Sequence, residues 1–103
     1  MPNETFKDVI NGPVPVLVDF FATWCGPCKM MVPILQQLRG QMKDAVRILK
    51  MDVDANPVVA QAFKIQGVPT LILFYKGQII WRASGVIQAA ELKNIIEAKV
   101  QMQ

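Results

Sequence analysis

Cys25 and Cys28, the only two cysteines in 103 residues, flank Gly26-Pro27. Cysteines three residues apart close almost no loop, so as a structural staple they would stabilise little. Such a pair has two common uses, zinc ligation and thiol–disulfide exchange. Zinc takes four ligands. The chain has no second cysteine pair and no His, so carboxylates or a second copy would have to complete the shell. A buried pair of unreactive thiols is the remaining alternative. The missing His also removes Cys–His and Ser–His nucleophiles. Proton transfer is left to carboxylates, Lys, Tyr, the thiols or water.

The surroundings of the pair favour redox chemistry. Val14 to Phe21 is nearly continuous apolar sequence, which predicts a central strand buried on both faces. Thr23-Trp24 leads from it into a helix, whose apolar face carries Met31, Ile34, Leu35, Leu38 and Met42. Cys25 then falls at the helix N-terminus, where free N–H groups and the helix dipole favour a thiolate. Gly26 and Pro27 suit the first turn, since Pro loses no needed donor there. Cys28 is expected one turn behind, within disulfide reach and less exposed. The implied reaction has two steps. Cys25 attacks a substrate disulfide, and Cys28 then attacks Cys25 to release the reduced substrate.

Two charged residues are candidates to assist. Asp19 interrupts the apolar strand, where a carboxylate is costly unless paired or protonated. Buried near the site, it could take the proton of Cys28; a solvated strand edge is its alternative. Lys50, on the next expected strand, is its candidate charge partner, or else an ordinary surface Lys. Val68-Pro69-Thr70 precedes a further strand, and its backbone could pair with an extended substrate peptide. From residue types alone, Pro69 reads as a trans proline opening that strand.

The elements that must position these residues follow from periodicity and breakers. A first helix is expected from an Asn3 cap to Asn11, stopped by Gly12-Pro13. Pro33 should kink the helix after Cys28. A second strand is expected over Val46 to Val53. Asn56-Pro57 should cap and open a helix running to about Lys64. Thr70 to Tyr75 and Gln78 to Ala83, joined by Lys76-Gly77, predict an antiparallel hairpin. After Gly85, a last helix carries Leu92, Ile95, Ile96 and Val100. The order α-β-α-β-α-β-β-α predicts one α/β domain over residues 1–103. Its sheet should be mixed and covered by helices on both faces.

Composition excludes other classes. At 52% hydrophobic residues the chain is too apolar for disorder. No apolar run is long enough to cross a membrane. Met1-Pro2-Asn3-Glu4 carries no secretion signal, so the expected location is cytoplasmic. The eleven cations that leave a net charge of +3 are scattered, so neither nucleic acid nor membrane is expected as a partner.

These residues resemble the thioredoxin family over nearly the whole chain. The likeness rests on Val18-Asp19-Phe20, Trp24-Cys25-Gly26-Pro27-Cys28-Lys29, Pro33, Asp52-Val53-Asp54-Ala55-Asn56-Pro57, Gly67-Val68-Pro69-Thr70, Lys76-Gly77 and Gly85. It implies a three-layer α/β/α fold and a protein-disulfide reductase. Cys25 would be the nucleophile, Cys28 the resolving thiol, Asp19 the buried acid, Lys50 its neighbour and Pro69 a cis-proline beside the disulfide. Trp24, Gly26, Pro27, Val68, Gly85 and Val86 would form the docking surface. No bound cofactor or metal is implied. Electrons would come from NADPH through a flavoprotein thioredoxin reductase, and the substrates would be disulfide-containing proteins. Two departures stand out. The family's strand before the first helix is missing, so four strands are expected, with an exposed edge on the second. A monomer that could pair through that edge follows. Phe21 stands where the family often has Trp. Two other functions fit the same fold: an oxidase or isomerase of an oxidising compartment, and a non-catalytic binder using the apolar patch.

Overall fold

The computed structural model describes residues 5–103. Helix α1 (Phe6–Ile10) starts at Thr5, whose hydroxyl accepts from the Asp8 N–H at 3.1 Å. The Asp8 carboxylate in turn accepts from the Thr5 N–H at 3.3 Å. This reciprocal cap satisfies two helix-end donors. The expected cap Asn3 lies outside the described residues. Strand β1 (Val16–Phe21) follows, then α2 (Gly26–Met42), a short 3₁₀ turn (Lys43–Ala45), β2 (Arg47–Asp52), α3 (Pro57–Ala62), β3 (Thr70–Tyr75), β4 (Gln78–Ser84) and α4 (Ala89–Gln101).

The sheet order is β2-β1-β3-β4. β1 pairs in parallel with β2, and antiparallel with β3, which pairs antiparallel with β4. The mixed four-stranded sheet expected from the sequence is therefore present. β1 is buried along almost its whole length because it has a strand on either side and helices above and below. Val16, Val18 and Phe20 face α1 and α3, where Phe6, Phe20, Phe63 and Phe74 meet at ring centroids of 5.4–6.1 Å. Leu17 faces the other way, into a core built from α2, α4, β3 and β2. Side-chain alternation then puts Asp19 and Phe21 on that same α2 face.

Pro33 lies inside α2, which continues through it as one helix of 17 residues. Pro33 and Lys29, whose carbonyl loses its donor, are both exposed, so solvent can reach the unpaired carbonyl. Two local expectations change. Asn56 does not cap α3 with its side chain. Its amide instead donates to the Asp52 carbonyl at 3.0 Å. The helix also ends early, at Ala62, because Lys64 takes the left-handed conformation (φ 55°) that breaks it.

The hairpin turn Lys76-Gly77 has positive φ at both residues, 53° and 81°, the geometry that matches strand twist. A Cβ on Gly77 would collide with the Asn11 side chain, while the Gly77 N–H donates to the Ile10 carbonyl at 3.0 Å. The hairpin is thereby fastened to α1. Trp81, to which the sequence assigned no role, is half-buried and packs against the α2/α4 core. Both sheet edges are guarded. β4 carries an irregularity opposite Leu73 and Phe74. On β2, the Arg39 guanidinium donates to the Ile48 carbonyl at 3.4 Å, which places a charge on the free edge.

Candidate active site

Cys25 is the N-cap of α2, with extended backbone (φ −88°, ψ 115°). Its Sγ accepts from the Cys28 N–H at 3.1 Å and is joined to the Cys28 Sγ by a disulfide with Cα atoms 5.3 Å apart. The N–H that reaches the sulfur is one of the four that a helix start leaves unpaired. Once the bond is reduced, this donor and the dipole of a 17-residue helix favour negative charge on Cys25. No acidic residue lies in the first turn to oppose it. The sequence places Cys28 deeper than Cys25, but each is 4% exposed in the disulfide. Both pack with Ala22 and partly buried Phe21, Val53 and Val68.

Asp19 has no exposed surface, and neither carboxylate oxygen has a hydrogen-bond partner. Burial raises its pKa from 3.8 to about 6, and the Lys50 ammonium opposes that rise. The solvated-edge reading of Asp19 is thus excluded. It stands opposite Leu71 on β3 and Lys50 on β2. The next residue on its face, Phe21, packs against the disulfide cluster. Lys50 itself is exposed, with its Nζ 5.3 Å from the Phe21 ring centre. Phe21, Cys28, Lys29 and Lys50 line a groove of about 200 Å³ beside the buried sulfur.

The docking candidates divide by exposure. Trp24 is 72% exposed, and Gly26 and Pro27 are exposed on the first turn. Val68-Pro69 is a cis peptide, as the family resemblance implies and residue types alone do not. The Val68 carbonyl oxygen lies 3.7 Å from the Cys25 Sγ. Gly85, at φ 100°, donates its N–H to the Pro69 carbonyl at 2.9 Å. Val86 is half-buried and packs against the α2/α4 core. The structure therefore brings Trp24, Val68, Pro69 and Gly85 around the disulfide. Among the described residues, no group of three or more His, Cys, Asp or Glu could hold a metal.

Sequence reasoning missed a second polar layer. The Trp24 indole N–H donates to the Asp54 carboxylate at 2.9 Å. Asp54 is set by Asp52, whose Oδ1 accepts from the N–H groups of Asp54 (2.9 Å) and Ala55 (3.3 Å). The sequence places Asp52 and Val53 at the end of the second strand, and nothing in it announces a partner for Asp54 thirty residues away. Trp24, Val53, Ile65, Gln66, Gly67 and Val68 enclose a groove of about 150 Å³. Its chemistry is an apolar slot beside a disulfide, with open backbone along one wall.

The thioredoxin family model matches residues 1–98. A thioredoxin-like protein of Synechocystis is 49% identical over 88 residues, covering 84% of each chain. The bifunctional thioredoxin reductase/thioredoxin of Mycobacterium leprae is 45% identical over 87 residues. That match covers 84% of this chain but only 19% of the larger protein. Among solved structures, a mutant thioredoxin from Halobacterium salinarum superposes with a TM-score of 0.81 at 38% identity. It covers 90% of this chain and 80% of its own. With this match along the sequence, this fold and a Cys25–Cys28 disulfide at a helix start, the chain belongs to the thioredoxin family of thiol–disulfide oxidoreductases.

Proposed function

We propose that Cys25 is the attacking nucleophile, Cys28 the resolving thiol and Asp19 the proton acceptor of this protein-disulfide reductase. The observation that carries the reading is the Cys28 N–H aimed at the Cys25 sulfur at a helix N-terminus. The Cys25 thiolate attacks one sulfur of a substrate disulfide. That bond breaks, a mixed disulfide forms, and the leaving thiolate takes a proton from water. Cys28 then gives its proton to the Asp19 carboxylate and attacks the Cys25 sulfur. The mixed disulfide breaks, and the second substrate sulfur leaves as a thiolate that takes a proton from water, while Asp19 returns its own to solvent. Two electrons have passed from the dithiol to the substrate, and Cys25–Cys28 is left oxidised.

Asp19 suits its part because a pKa of about 6 leaves it mainly ionised at pH 7, yet more basic than an ordinary carboxylate. Lys50 limits the rise in that pKa. Trp24, Gly26, Pro27, Val68, Pro69, Gly85 and the exposed part of Val86 form the docking surface. The substrate lies extended along the Val68 backbone. Regeneration uses NADPH through a flavoprotein thioredoxin reductase, and the fused reductase–thioredoxin relative supports that pairing. The protein works in the cytoplasm as a monomer. The Arg39 guanidinium on the β2 edge supports the monomer by discouraging pairing between copies.

Insulin reduction, driven by NADPH and a thioredoxin reductase, tests the assignment. Cys25→Ser should abolish turnover. Cys28→Ser should trap a mixed disulfide that Cys25→Ser never forms. Trapping by Cys25→Ser instead would reverse the two roles and refute the proposal.

A further inference from the structure

The groove beside the disulfide has one wall made of loop. From Phe63 to Pro69 the chain leaves α3, turns at Lys64 and runs through Ile65, Gln66, Gly67 and Val68 to the cis-proline. Phe63, Ile65 and Val68 pack against the core clusters, but Lys64, Gln66 and Gly67 between them are exposed and bury little of their own. Its carbonyls are fastened at three places, two of them by β4 or the residue after it and the third by Thr70 of β3, which a β4 residue holds in turn.

The Arg82 guanidinium donates to the carbonyls of Phe63 at 2.8 Å and Lys64 at 3.4 Å. Thr70 donates its only hydroxyl proton to the Gly67 carbonyl at 2.5 Å. The Ser84 hydroxyl is 3.0 Å from the Thr70 oxygen, and since the Thr70 proton is used, Ser84 must be the donor there. The Gly85 N–H holds the Pro69 carbonyl. Arg82 and Ser84 stand two apart, so they lie on one face of the strand. That face carries Ile72 and Thr70 opposite them on β3 and looks towards α3.

We propose that Arg82 and Ser84 are positioning residues that shape the docking wall and so set affinity for protein substrates without acting on the disulfide. Ser84 works through Thr70 on Gly67, and Arg82 works on the exit of α3. Together they fix both ends of the four residues, Ile65 to Val68, that line the groove. Neither side chain touches the reacting sulfurs. Their loss frees the wall, and a substrate peptide must then order it on binding, which weakens affinity. A small disulfide that needs no groove is unaffected. The inference rests on the docking role given above to Val68 and Trp24.

The test compares Arg82→Met, Ser84→Ala and the double variant in reduction of insulin and of a small aromatic disulfide. Each single variant should raise KM for insulin about threefold, and the double variant about tenfold, the scale of one and two modest hydrogen bonds. The insulin kcat and the rate constant with the small disulfide should stay within about twofold. Arg82→Lys, which keeps a cationic donor near the same carbonyls, should recover most of the single-variant loss. Amide exchange at Ile65 to Val68 should quicken in the double variant while exchange in β1 does not. Trp24→Ala serves as the groove control. If it raises KM and the double variant does not, the brace is wrong and the docking reading stands. If neither raises KM, both fall. Equal losses with both disulfides would also overturn the proposal.

Discussion

Replacing Asp19 by Asn should make the protein more stable at neutral pH and leave the gain absent in acid. Both carboxylate oxygens of Asp19 are buried without a partner, so ionisation in the folded state puts an uncompensated charge in the core. Its pKa rises from 3.8 to about 6 through burial, with Lys50 opposing. Below pH 3.8 the group is neutral in both folded and unfolded chains and costs nothing by this route. Between 3.8 and about 6 the unfolded chain releases its proton first, so the folded chain holds more protons. Stability therefore falls as pH rises through that window. Above it the loss is complete. At roughly 1.4 kcal/mol per pH unit, the raised pKa corresponds to about 3 kcal/mol.

Asn has the same shape and no titrating proton, so its stability curve lacks this fall. Its own unpaired amide adds a constant offset, which is why the change with pH is the readout. Urea unfolding of the oxidised proteins should show the gap, variant minus wild type, widening by about 3 kcal/mol between pH 3 and pH 8. With a urea slope of about 2 kcal/mol/M, that is about 1.5 M in the midpoint. The other carboxylates cancel in the difference. A gap constant to within about 0.5 kcal/mol across that range would refute the reasoning, because it would mean that Asp19 is not held in a poorly solvated site.

Three further outcomes follow from the same geometry. Lys50→Met removes the cation that opposes the rise, so the Asp19 carboxyl should titrate above pH 6 when followed by NMR; an unchanged or lower midpoint refutes the coupling. Asp54→Asn keeps an acceptor for the Trp24 indole but removes the charge-assisted part of a 2.9 Å bond. Insulin KM should then rise about twofold to fivefold with kcat unchanged, and a fall in kcat with no change in KM would place Trp24 elsewhere in the mechanism. Phe74→Ala deletes a buried ring that packs edge-on against Phe6 and Phe63. Unfolding should show a loss of about 3–5 kcal/mol, and a loss under 1 kcal/mol would show that the α1/α3 core closes over the gap.

What could be read in advance had a physical signature within one or two turns of chain. The succession of elements followed from apolar runs and breakers, and the antiparallel hairpin from the Lys76-Gly77 turn. Cys25 at a helix start followed from Gly26-Pro27 and the spacing of Met31, Ile34, Leu35 and Leu38. Asp19 stood out because a carboxylate breaks an apolar run. The brace was not legible, because Arg82 and Ser84 are ordinary exposed residues on an edge strand and their partners are backbone carbonyls, which have no sequence identity. The Trp24–Asp54 bond was hidden for a similar reason, since it spans thirty residues. Asn56 misled because its side-chain amide is turned to donate from Nδ2 to the Asp52 carbonyl, and its Oδ1 accepts no helix N–H. The cis bond at Val68-Pro69 was invisible to residue types, which favour trans at any X-Pro step.

The placement of Asp19 is also a constraint on the rest of the fold. A proton acceptor for a buried thiol must itself be buried, and a buried carboxylate weakens the folded state by several kcal/mol at working pH. That loss is a sizeable share of the 5–15 kcal/mol a domain of this size has. The core on either side has to offset it. On the Asp19 face, Leu17, Leu71, Leu73, Met31, Leu35, Leu38, Leu92 and Ile96 are each 1% exposed or less. Full burial of such a side chain contributes roughly 1.5–3 kcal/mol, so two of them balance one strained acid. The close packing around Asp19 is therefore what lets a buried acid and a folded core coexist in one strand. A second ionisable group in place of Leu17 would add another uncompensated buried charge and remove one of those buried side chains, and the two losses together approach the whole stability of such a domain. Leu17→Glu should accordingly unfold the protein at pH 8, while a folded Leu17→Glu variant with full insulin-reducing activity would show that the core has more stability to spare than this balance gives it.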